Sequence, residues 1–434
     1  MIAVAHHRRT LRRAASRYRH ARRALRTPSS RSSRYGLDWM NFFIADVQTG
    51  FGTFVAFYLA RLHWPSTSIG VALAAGTLAA VLSQIPGGAL ADAIAAKRAL
   101  TAIGIVMIGA AALILALAPS FIMVFVALIL QGLTAGIITP AIGALSLGLV
   151  GRRAMSARTG RNYRFAAAGH ALTAAMMGAA GTYVSEGSTF IAAAALCIPA
   201  LVALAAIRPQ EIDYARARNA GKGDKAANVL RIRDLAGNRA LLLFTGCLVL
   251  FQLADASTLP LVAENLAQQA GAPAALMAGL VIVPQVVVAF LAPWVGYHSE
   301  AKGRRPLLLI GFALEPIRAA LLAFTADYPL LIVAQLLNGV TSAIVLVLTV
   351  LVVTDLTAGT GRFNLATGFV GTASAIAASA STSASGFIFQ EIGRGMGFAS
   401  IAIIGVAATA LLWVFQSESK PTRYGDEAVK PSTA

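Results

Sequence analysis

The sequence predicts an all-α membrane protein in which 12 transmembrane helices form two pseudo-symmetric six-helix bundles. Three observations lead to this prediction: an apolar composition, a division into apolar runs, and charged phrases that recur at a nearly constant offset. The chain of 434 residues is 57% hydrophobic and only 12% charged, with a mean hydropathy of +0.71. Soluble domains carry about 25% charged residues, so the composition excludes an ordinary soluble protein.

The apolar runs define the individual helices. Residues 99–151 contain no charged side chain. This stretch is too long for one span, because a spanning helix needs about 20 apolar residues, so it predicts a helical hairpin that turns near Pro119 and Ser120. Charge and turn signals elsewhere complete a set of twelve span cores, which are 38–61, 68–91, 99–118, 121–149, 164–184, 188–207, 240–263, 274–296, 306–325, 329–353, 364–388 and 395–416.

A polar segment of mixed charge separates the first six spans from the last six. The chain therefore divides into a basic arm (1–36), an N-terminal bundle (37–207), a central loop (208–239), a C-terminal bundle (240–416) and a tail (417–434). If the amino terminus is cytoplasmic, 33 of the 36 cations fall on the cytoplasmic side, the exceptions being Arg61, Arg318 and Arg394. This bias predicts that both termini lie in the cytoplasm.

A short charged phrase occurs twice, 208 residues apart, each time at the end of an apolar run. The first copy is GALADAIAAKR, from Gly88, and the second is GYHSEAKGRRP, from Gly296. Further matches at offsets of 209, 207 and 201 residues are Ala45-Asp46 with Ala254-Asp255, Gln131-Gly132 with Asn338-Gly339, and Gly160-Arg161 with Gly361-Arg362. Their shared order indicates an internal duplication, which is a known plan of membrane transporters.

With these motifs the chain resembles the major facilitator superfamily over about residues 37–416. The loop signature of that family, Gly-x-x-x-Asp-x-x-Gly-Arg-Lys/Arg, is matched by the second phrase, while the first has Ala95 and Ala96 in place of the Gly-Arg pair. The resemblance implies a secondary transporter that works by alternating access. Spans 1, 4, 7 and 10 would line a central cavity, and spans 3, 6, 9 and 12 would support them from outside.

Two features of the drug–proton antiporter branch of this family are absent. Leu128 stands where an arginine is expected three residues before Gln131, and residues 166–181 lack the Gly-Pro motif of span 5. The resemblance therefore extends to the superfamily, while the motifs of that branch are incomplete.

The charged phrases are candidates for a cytoplasmic gate. A carboxylate at the end of one helix can lie against the positive end of a neighbouring helix, a contact worth about 0.3–1 kcal/mol when exposed. We expect Asp92 and Glu300 to hold the cytoplasmic side closed in this way; the alternative is that they are ordinary loop charges that set the topology. The complete candidate set is Gly88, Asp92, Lys97, Arg98, Gly296, Glu300, Gly303, Arg304 and Arg305.

Three ionisable residues inside predicted spans are candidates for proton coupling: Asp46, Asp255 and His170. An ionised aspartate at mid-depth costs about 2.5–3.5 kcal/mol on insertion scales, so such residues face a cavity, pair with a cation or bind a proton. Histidine titrates near physiological pH. The alternative for the two aspartates is a structural hydrogen bond to a neighbouring helix, and for His170 ordinary packing.

Neutral amides and one charged pair complete the intramembrane candidates. Gln131, Asn338 and Gln285 are expected to contact substrate in the cavity, with interhelical hydrogen bonding as the alternative. Glu315 and Arg318 are three residues apart and share a helix face. Because span 9 is peripheral in the family that the chain resembles, we interpret them as a structural ion pair.

Residues 1–35 contain eleven arginines and no acidic residue. This arm is interpreted as a basic segment on anionic lipid, where each cation contributes about 1 kcal/mol, as a targeting segment, or as the product of an upstream start. Nucleic-acid binding is not expected, since no aromatic or base-reading module accompanies the charge.

The sequence carries no nucleophile–base constellation, metal cluster or phosphate-binding glycine loop, so we predict neither an enzyme nor a cofactor. The prediction is a monomeric secondary transporter of the bacterial inner membrane, whose partners are the lipid bilayer, a small organic solute and protons. Proton-coupled efflux is the first hypothesis. The alternatives are proton-coupled uptake of a metabolite and a non-transporting membrane receptor or lipid-handling protein on the same scaffold.

Overall fold

The computed structural model describes residues 29–49, 55, 58–59, 62–183, 186–221, 235, 237–267, 274–324 and 327–415. These residues form helices joined by short connections, and the described part of the chain contains no β-strand beyond isolated bridges of Ala220 to Gly359 and Thr360. The basic arm before residue 29, most of the second half of the central loop and the tail after residue 415 lie outside this description.

Among the described residues, six long helices form the N-terminal half. Proline and serine mark their starts, since Pro65 precedes α2 and Ser120 precedes α4, while Gly151 ends α4 in the left-handed region at a φ of 70°. The helices are α1 Arg31–Thr49, α2 Ser66–Ala93, α3 Lys97–Leu117, α4 Phe121–Val150, α5 Met155–Tyr183 and α6 Glu186–Ala205.

The C-terminal half repeats this arrangement, with its first span divided by a turn at Ala256 and Ser257. Its helices are α7a Arg239–Asp255, α7b Thr258–Ala267, α8 Ala274–Lys302, α9 Arg305–Phe324, α10 Tyr328–Leu356, α11 Phe363–Glu391 and α12 Arg394–Phe415. Between the halves, the central loop forms a short helix at Tyr214–Ala217.

Ten helical stretches of the described residues are long and apolar enough to cross a membrane, with α7a and α7b counted as parts of one stretch. The two remaining predicted spans correspond to α1 and α5, both of which begin earlier than predicted. The arm was predicted to extend to residue 36, but α1 begins at Arg31. The span predicted to start at residue 164 begins at Met155. Arg158 and Arg161, which precede residue 164, lie on the first turns of α5.

Close helix crossings within each half depend on glycine. A Cβ on Gly132 of α4 would lie 2.3 Å from the carbonyl oxygen of Gly76 on α2. A Cβ on Gly339 of α10 would lie 2.5 Å from Val287 Cβ on α8. The duplicated glycines of spans 4 and 10 therefore pack equivalent pairs of helices, which is the use of small residues expected between membrane helices.

The two halves meet mainly through α2 with α11 and α5 with α8. We call the end of the molecule that carries the C-termini of α2 and α8, the N-termini of α5 and α11, and the central loop the linker face. Contacts between α2 and α11 continue from the linker face to Thr372, whose Oγ1 donates to the carbonyl of Val81 at 3.3 Å. Contacts between the two halves therefore close the linker face.

Candidate functional site: the contacts that close the linker face

Asp92 joins the N-terminal half to the C-terminal half. It lies one residue before the end of α2 and is 0% exposed. Its carboxylate accepts hydrogen bonds from the backbone N–H of Leu365 at 2.8 Å and of Asn364 at 3.3 Å, and from Asn364 Nδ2 at 2.7 Å. These donors lie in the first turn of α11, where backbone N–H groups lack intrahelical partners and the helix dipole is positive. Asp92 thus caps a helix of the opposite half.

Glu300 makes the reciprocal contact. Ser156, in the first turn of α5, donates its hydroxyl to the Glu300 carboxylate. The buried Arg304 guanidinium donates to Ser156 Oγ at 3.3 Å, to Ser299 Oγ at 3.0 Å and to Asp355 Oδ2 at 2.7 Å. The end of α8 is therefore bound to the start of α5 in the other half and to the end of α10 in its own half.

The first glycine of each phrase permits these contacts. A Cβ on Gly88 would lie 2.3 Å from the carbonyl oxygen of Asn364, and a Cβ on Gly296 would lie 2.4 Å from that of Ser156. Ordinary contact begins at 3.4 Å, so any side chain here would force the helices apart. The contacted residues, like the glycines, are 208 positions apart, which makes the two crossings equivalent residue for residue.

A second pair of glycines extends this equivalence and corrects the sequence alignment. A Cβ on Gly160 would lie 2.5 Å from the Ala292 carbonyl oxygen, and a Cβ on Gly368 would lie 2.1 Å from the Gln84 carbonyl oxygen. Both pairs are again 208 residues apart. The structural counterpart of Gly160 is thus Gly368, and the match to Gly361 was wrong because that glycine lies before α11, in the turn after α10.

Two basic residues of the predicted gate bind helices of their own half instead. Arg98 Nη2 donates to the carbonyl of Ala205, the last residue of α6, at 3.4 Å, and Arg305 Nη2 donates to the carbonyl of Trp413 near the end of α12 at 2.5 Å. Cations near helix C-termini are favoured by the helix dipole. Gly303, with a φ of 90°, turns the chain between α8 and α9. Arg98 and Arg305 therefore attach the starts of α3 and α9 to the supporting helices α6 and α12 and do not bridge the halves.

The central loop also crosses between the halves, which the sequence did not predict. We call residues 209–221 the linker strap. On the N-terminal half, the Tyr214 hydroxyl lies 3.1 Å from the carbonyl oxygen of Asp92 and 2.8 Å from that of Ala93. Two cations lie over the Tyr214 ring, with Lys97 Nζ 4.9 Å and the Arg218 guanidinium carbon 5.3 Å from its centroid. Lys97, a predicted gate residue, therefore contacts the strap as well as the end of α2, where its Nζ donates to the Ala91 carbonyl.

On the C-terminal half, the strap binds the loop between α10 and α11. Asn219, at a φ of 61°, donates Nδ2 to the Thr354 carbonyl at 2.7 Å and accepts at its own carbonyl from Gly359 N–H at 3.0 Å. Asn364 Nδ2 donates to the Ala217 carbonyl at 3.1 Å as well as to Asp92. Asn364 therefore joins α2, α11 and the strap at one point.

A buried charged network stabilises the N-terminal half beside the gate. Asp38 on α1 is 0% exposed and binds two arginines of α5. Arg158 Nη2 donates to one of its oxygens, and Arg161 contacts both, with Nη2 2.5 Å from Oδ2. The predicted core of span 5 begins at residue 164 and so left Arg158 and Arg161 outside the helix; both lie on α5, where Asp38 supplies their buried counter-charge.

The start of α1 is attached to the strap through Glu211. Its carboxylate accepts from the Ser30 backbone N–H at 2.9 Å and from the Ser30 hydroxyl at 3.0 Å. Partial burial acts to raise the pKa of Glu211, but the hydrogen bonds from Ser30 and Ser33 and the charge of Arg208 outweigh it and lower that pKa below its ordinary value.

The proton-coupling candidates do not form one cluster among the described residues. Asp255, at the end of α7a, forms an ion pair with Arg318 at 2.8 Å, and Arg318 also pairs with Glu315 at 2.8 Å. His170 is half-buried on α5. Asp46 lies on α1, but its side chain is outside the described part of the structure.

The three amide candidates are each half-buried, on α4 for Gln131, α8 for Gln285 and α10 for Asn338. Asn338 Nδ2 donates to Gln335 Oε1 at 3.3 Å, and its Oδ1 accepts from Ser342 Oγ at 3.4 Å. Both contacts of Asn338 lie within α10, so its role toward a substrate stays a prediction.

Comparison with known proteins agrees with this architecture. The family model described as Major Facilitator Superfamily matches residues 37–264 and 245–433. Two Mycobacterium tuberculosis proteins, named "Uncharacterized MFS-type transporter MT2531" (strain CDC 1551 / Oshkosh) and "Uncharacterized MFS-type transporter Rv2456c" (strain ATCC 25618 / H37Rv), are each 35% identical to the chain over 387 residues. The alignment covers 88% of this chain and 93% of each relative.

A solved structure shares the fold. The proton:xylose symporter XylE bound to 6-bromo-6-deoxy-D-glucose matches with a TM-score of 0.65 at 15% identity, covering 90% of this chain and 96% of that one. The fold class and the family resemblance predicted from the sequence are confirmed. The chain belongs to the major facilitator superfamily, a family of multi-pass membrane proteins that act as secondary transporters.

Proposed function

We propose that the chain exports a small organic solute from a bacterial cytoplasm by alternating access, driven by the proton gradient. The observation that carries this proposal is the reciprocal closure of the linker face. Asp92 of the first half caps α11 of the second, and Glu300 of the second half binds the start of α5 in the first. Contacts that join equivalent points of two repeats are the ones that a rocking motion of the halves would break together.

The size of these contacts suits a gate. A carboxylate at a helix N-terminus contributes up to about 2 kcal/mol in a buried geometry such as that of Asp92, and about 0.3–1 kcal/mol when it is exposed, as Glu300 is. A ligand must supply about 5.5 kcal/mol of differential binding to move an equilibrium from 1:99 to 99:1. Two such latches with the linker strap are therefore strong enough to favour the closed state and weak enough for solute and proton binding to overcome.

The linker face is assigned to the cytoplasm by its charge. Arg98, Arg158, Arg161, Arg304 and Arg305 all lie at this end of the molecule, and an excess of arginine and lysine marks cytoplasmic loops. Relatives from a bacterium support a bacterial inner membrane. In this orientation the linker face, with the start of α1 and the end of α12, faces the cytoplasm.

Proton coupling rests on the ionisable groups inside the spans. Asp46, Asp255 and His170 all lie on predicted spans, where a charge is costly unless it is paired or neutralised by a proton. The proton gradient supplies the energy, so the proposal needs no cofactor. The two six-helix bundles of one chain function together as a monomer.

A second candidate is proton-coupled uptake. It is favoured by the likeness in fold to XylE, a proton:xylose symporter. An antiporter moves solute into a liposome when the lumen is acidic, whereas a symporter does so when the exterior is acidic. One liposome preparation therefore distinguishes the two candidates.

The test uses purified protein in liposomes with an imposed pH gradient and two probes, ethidium as an organic cation and xylose as a sugar. Export by antiport predicts that an acidic lumen drives ethidium into the liposomes and that a protonophore abolishes the accumulation. Xylose accumulation driven by an acidic exterior would support uptake instead. Gradient-driven flux that Asp46→Asn and Asp255→Asn leave unchanged would contradict coupling through these aspartates, and flux of neither probe above protein-free liposomes would favour a non-transporting receptor.

A further inference from the structure

A buried charged cluster lies where the seventh span is interrupted. Arg318 Nη2 on α9 donates at 2.8 Å both to Glu315 Oε1, one turn earlier, and to Asp255 Oδ1 at the end of α7a. Glu315 is 0% exposed and Arg318 2% exposed, whereas the Asp255 side chain is 27% exposed. We call Asp255, Glu315 and Arg318 the α7–α9 cluster. Glu315 lies ten residues after Arg305, or about 15 Å into α9 from the linker face.

The cluster contains two carboxylates and one guanidinium, so with all groups ionised it holds one negative charge in excess. A buried charge without a partner is strongly unfavourable, and it is relieved when the group takes up a proton. The other charged and histidine side chains described on the helices packed against α9 stand near the helix ends and do not compensate this charge: Arg239, His298, Glu300, Lys302, Arg305, Asp327, Asp355 and Arg394.

Unpartnered polar atoms mark the same place. Glu315 Oε2 and Arg318 Nε are buried without a hydrogen-bond partner among the described residues, and so is Ser257 Oγ in the turn that divides the span. Thr258 Oγ1, at the start of α7b, lies 3.5 Å from Glu315 Oε1. An orphaned carboxylate oxygen is costly in a low-dielectric interior. A proton on Oε2 removes the charge and converts that oxygen into a donor.

We propose that the α7–α9 cluster is the proton-binding site of this transporter, with one proton shared between Asp255 and Glu315 opposite Arg318. This inference rests on the proposed proton-coupled function and deepens it. A hydronium ion transfers its proton to a carboxylate oxygen: one O–H bond of hydronium breaks and releases water, one O–H bond forms on the carboxyl group, and the charge of the cluster rises from −1 to 0. Because the two carboxylates share one guanidinium, the proton belongs to the pair.

The geometry favours a proton over a metal cation. A guanidinium 2.8 Å from both carboxylates repels a second cation, whereas a proton needs only one lone pair. Asp255, which is partly exposed, provides the route to solvent, and Glu315 holds the proton away from it. While Glu315 holds the proton, Asp255 is the one ionised partner of Arg318, so the ion pair between α9 and the seventh span strengthens and the proton has a mechanical effect on a helix expected to line the cavity.

The test is infrared difference spectroscopy of the purified full-length protein in sodium-free lipid nanodiscs during a pH titration. We expect a carbonyl band of a protonated carboxylic acid to grow in a single step as the pH falls, and to be lost in both Glu315→Gln and Asp255→Asn. Each variant leaves one carboxylate opposite Arg318, so the cluster is neutral and both variants should fold. Glu391→Gln, at the exposed end of α11, is the matched control and should retain the band.

A titrating band that both cluster variants retain would overturn the proposal, and so would a band that sodium chloride suppresses at constant pH. The liposome experiment separates this inference from the proposed function. If the variants lose the band but the wild type shows no proton-driven flux of ethidium or xylose, the proton site is supported and the proposed mode of transport is rejected. Proton-driven flux with an unchanged band would reject the site alone.

Discussion

Replacing the first glycine of each charged phrase should open the linker face. A Cβ at Gly88 or Gly296 would lie 2.3 or 2.4 Å from a carbonyl oxygen of the opposite half, whereas ordinary contact begins at 3.4 Å. The helices must therefore separate by about 1 Å in the closed state. Overpacking of this kind costs about 1–3 kcal/mol, which corresponds to about a 5- to 150-fold rise in the ratio of open to closed molecules.

The assay is electron–electron double resonance between spin labels on two exposed loop residues, Ala96 in the first half and Ala358 in the second. Both native cysteines, Cys197 and Cys247, are buried and would be replaced by alanine. We call the label separation the linker-face distance. Gly88→Ala and Gly296→Ala should each enlarge the population with a long linker-face distance, because the open state no longer contains the crowded crossing.

Gly386→Ala on α11 is the matched control, since nothing lies within 4 Å of a Cβ at that position. It should keep the wild-type distribution. Thermal unfolding of all three variants separates opening of the gate from general destabilisation. If Gly88→Ala and Gly296→Ala gave the same distance distribution as Gly386→Ala, the reasoning that these crossings close the linker face would be refuted.

Three further predictions concern the strap and the network beside the gate. Tyr214→Phe removes the hydroxyl that binds the end of α2, so hydrogen exchange of the strap amides should accelerate while α3 exchanges as before. Strap amides that exchange at the wild-type rate in this variant would contradict the claim that Tyr214 holds the strap to α2. Asp38→Asn leaves Arg158 buried without its counter-charge and should cost about 3–5 kcal/mol, seen as a lower melting temperature; an unchanged melting temperature would show that the network does not stabilise α1 against α5. The pKa of Glu211 is lowered in the folded protein, so its contribution is complete above pH 4.5 and is lost as the pH falls through the lowered pKa; exchange protection of the Ser30 amide should fall over that range in the wild type and stay flat in Glu211→Gln.

The sequence predicted those parts of the site that repeat. The duplicated phrase located both latches, and its carboxylates were expected at helix N-termini, as Asp92 now is against Asn364 and Leu365. Apolar runs located the spans because burial in lipid demands long uninterrupted apolar helices. The same reasoning misjudged α5, where arginines were counted as loop charges because their partner, Asp38, lies 120 residues away in the chain.

Contacts between distant single residues could not be predicted in this way. Asn364 has no repeated signal, and only the folded chain shows that it joins Asp92 to the Ala217 carbonyl. Helical spacing relates Glu315 to Arg318, but it contains no information about Asp255, which is 63 residues from Arg318. The linker strap is polar and short, and its order comes from backbone partners on both halves.

The central claim is that the two reciprocal latches hold the linker face closed. The most direct test is the linker-face distance in the double variant Asp92→Asn/Glu300→Gln, measured in lipid beside the wild type and each single variant. Loss of about 2 kcal/mol at Asp92 corresponds to about a 30-fold shift toward the open state. We predict a short distance in the wild type, a partial long-distance population in each single variant and a dominant one in the double variant. A double variant that keeps the short distance would contradict the account.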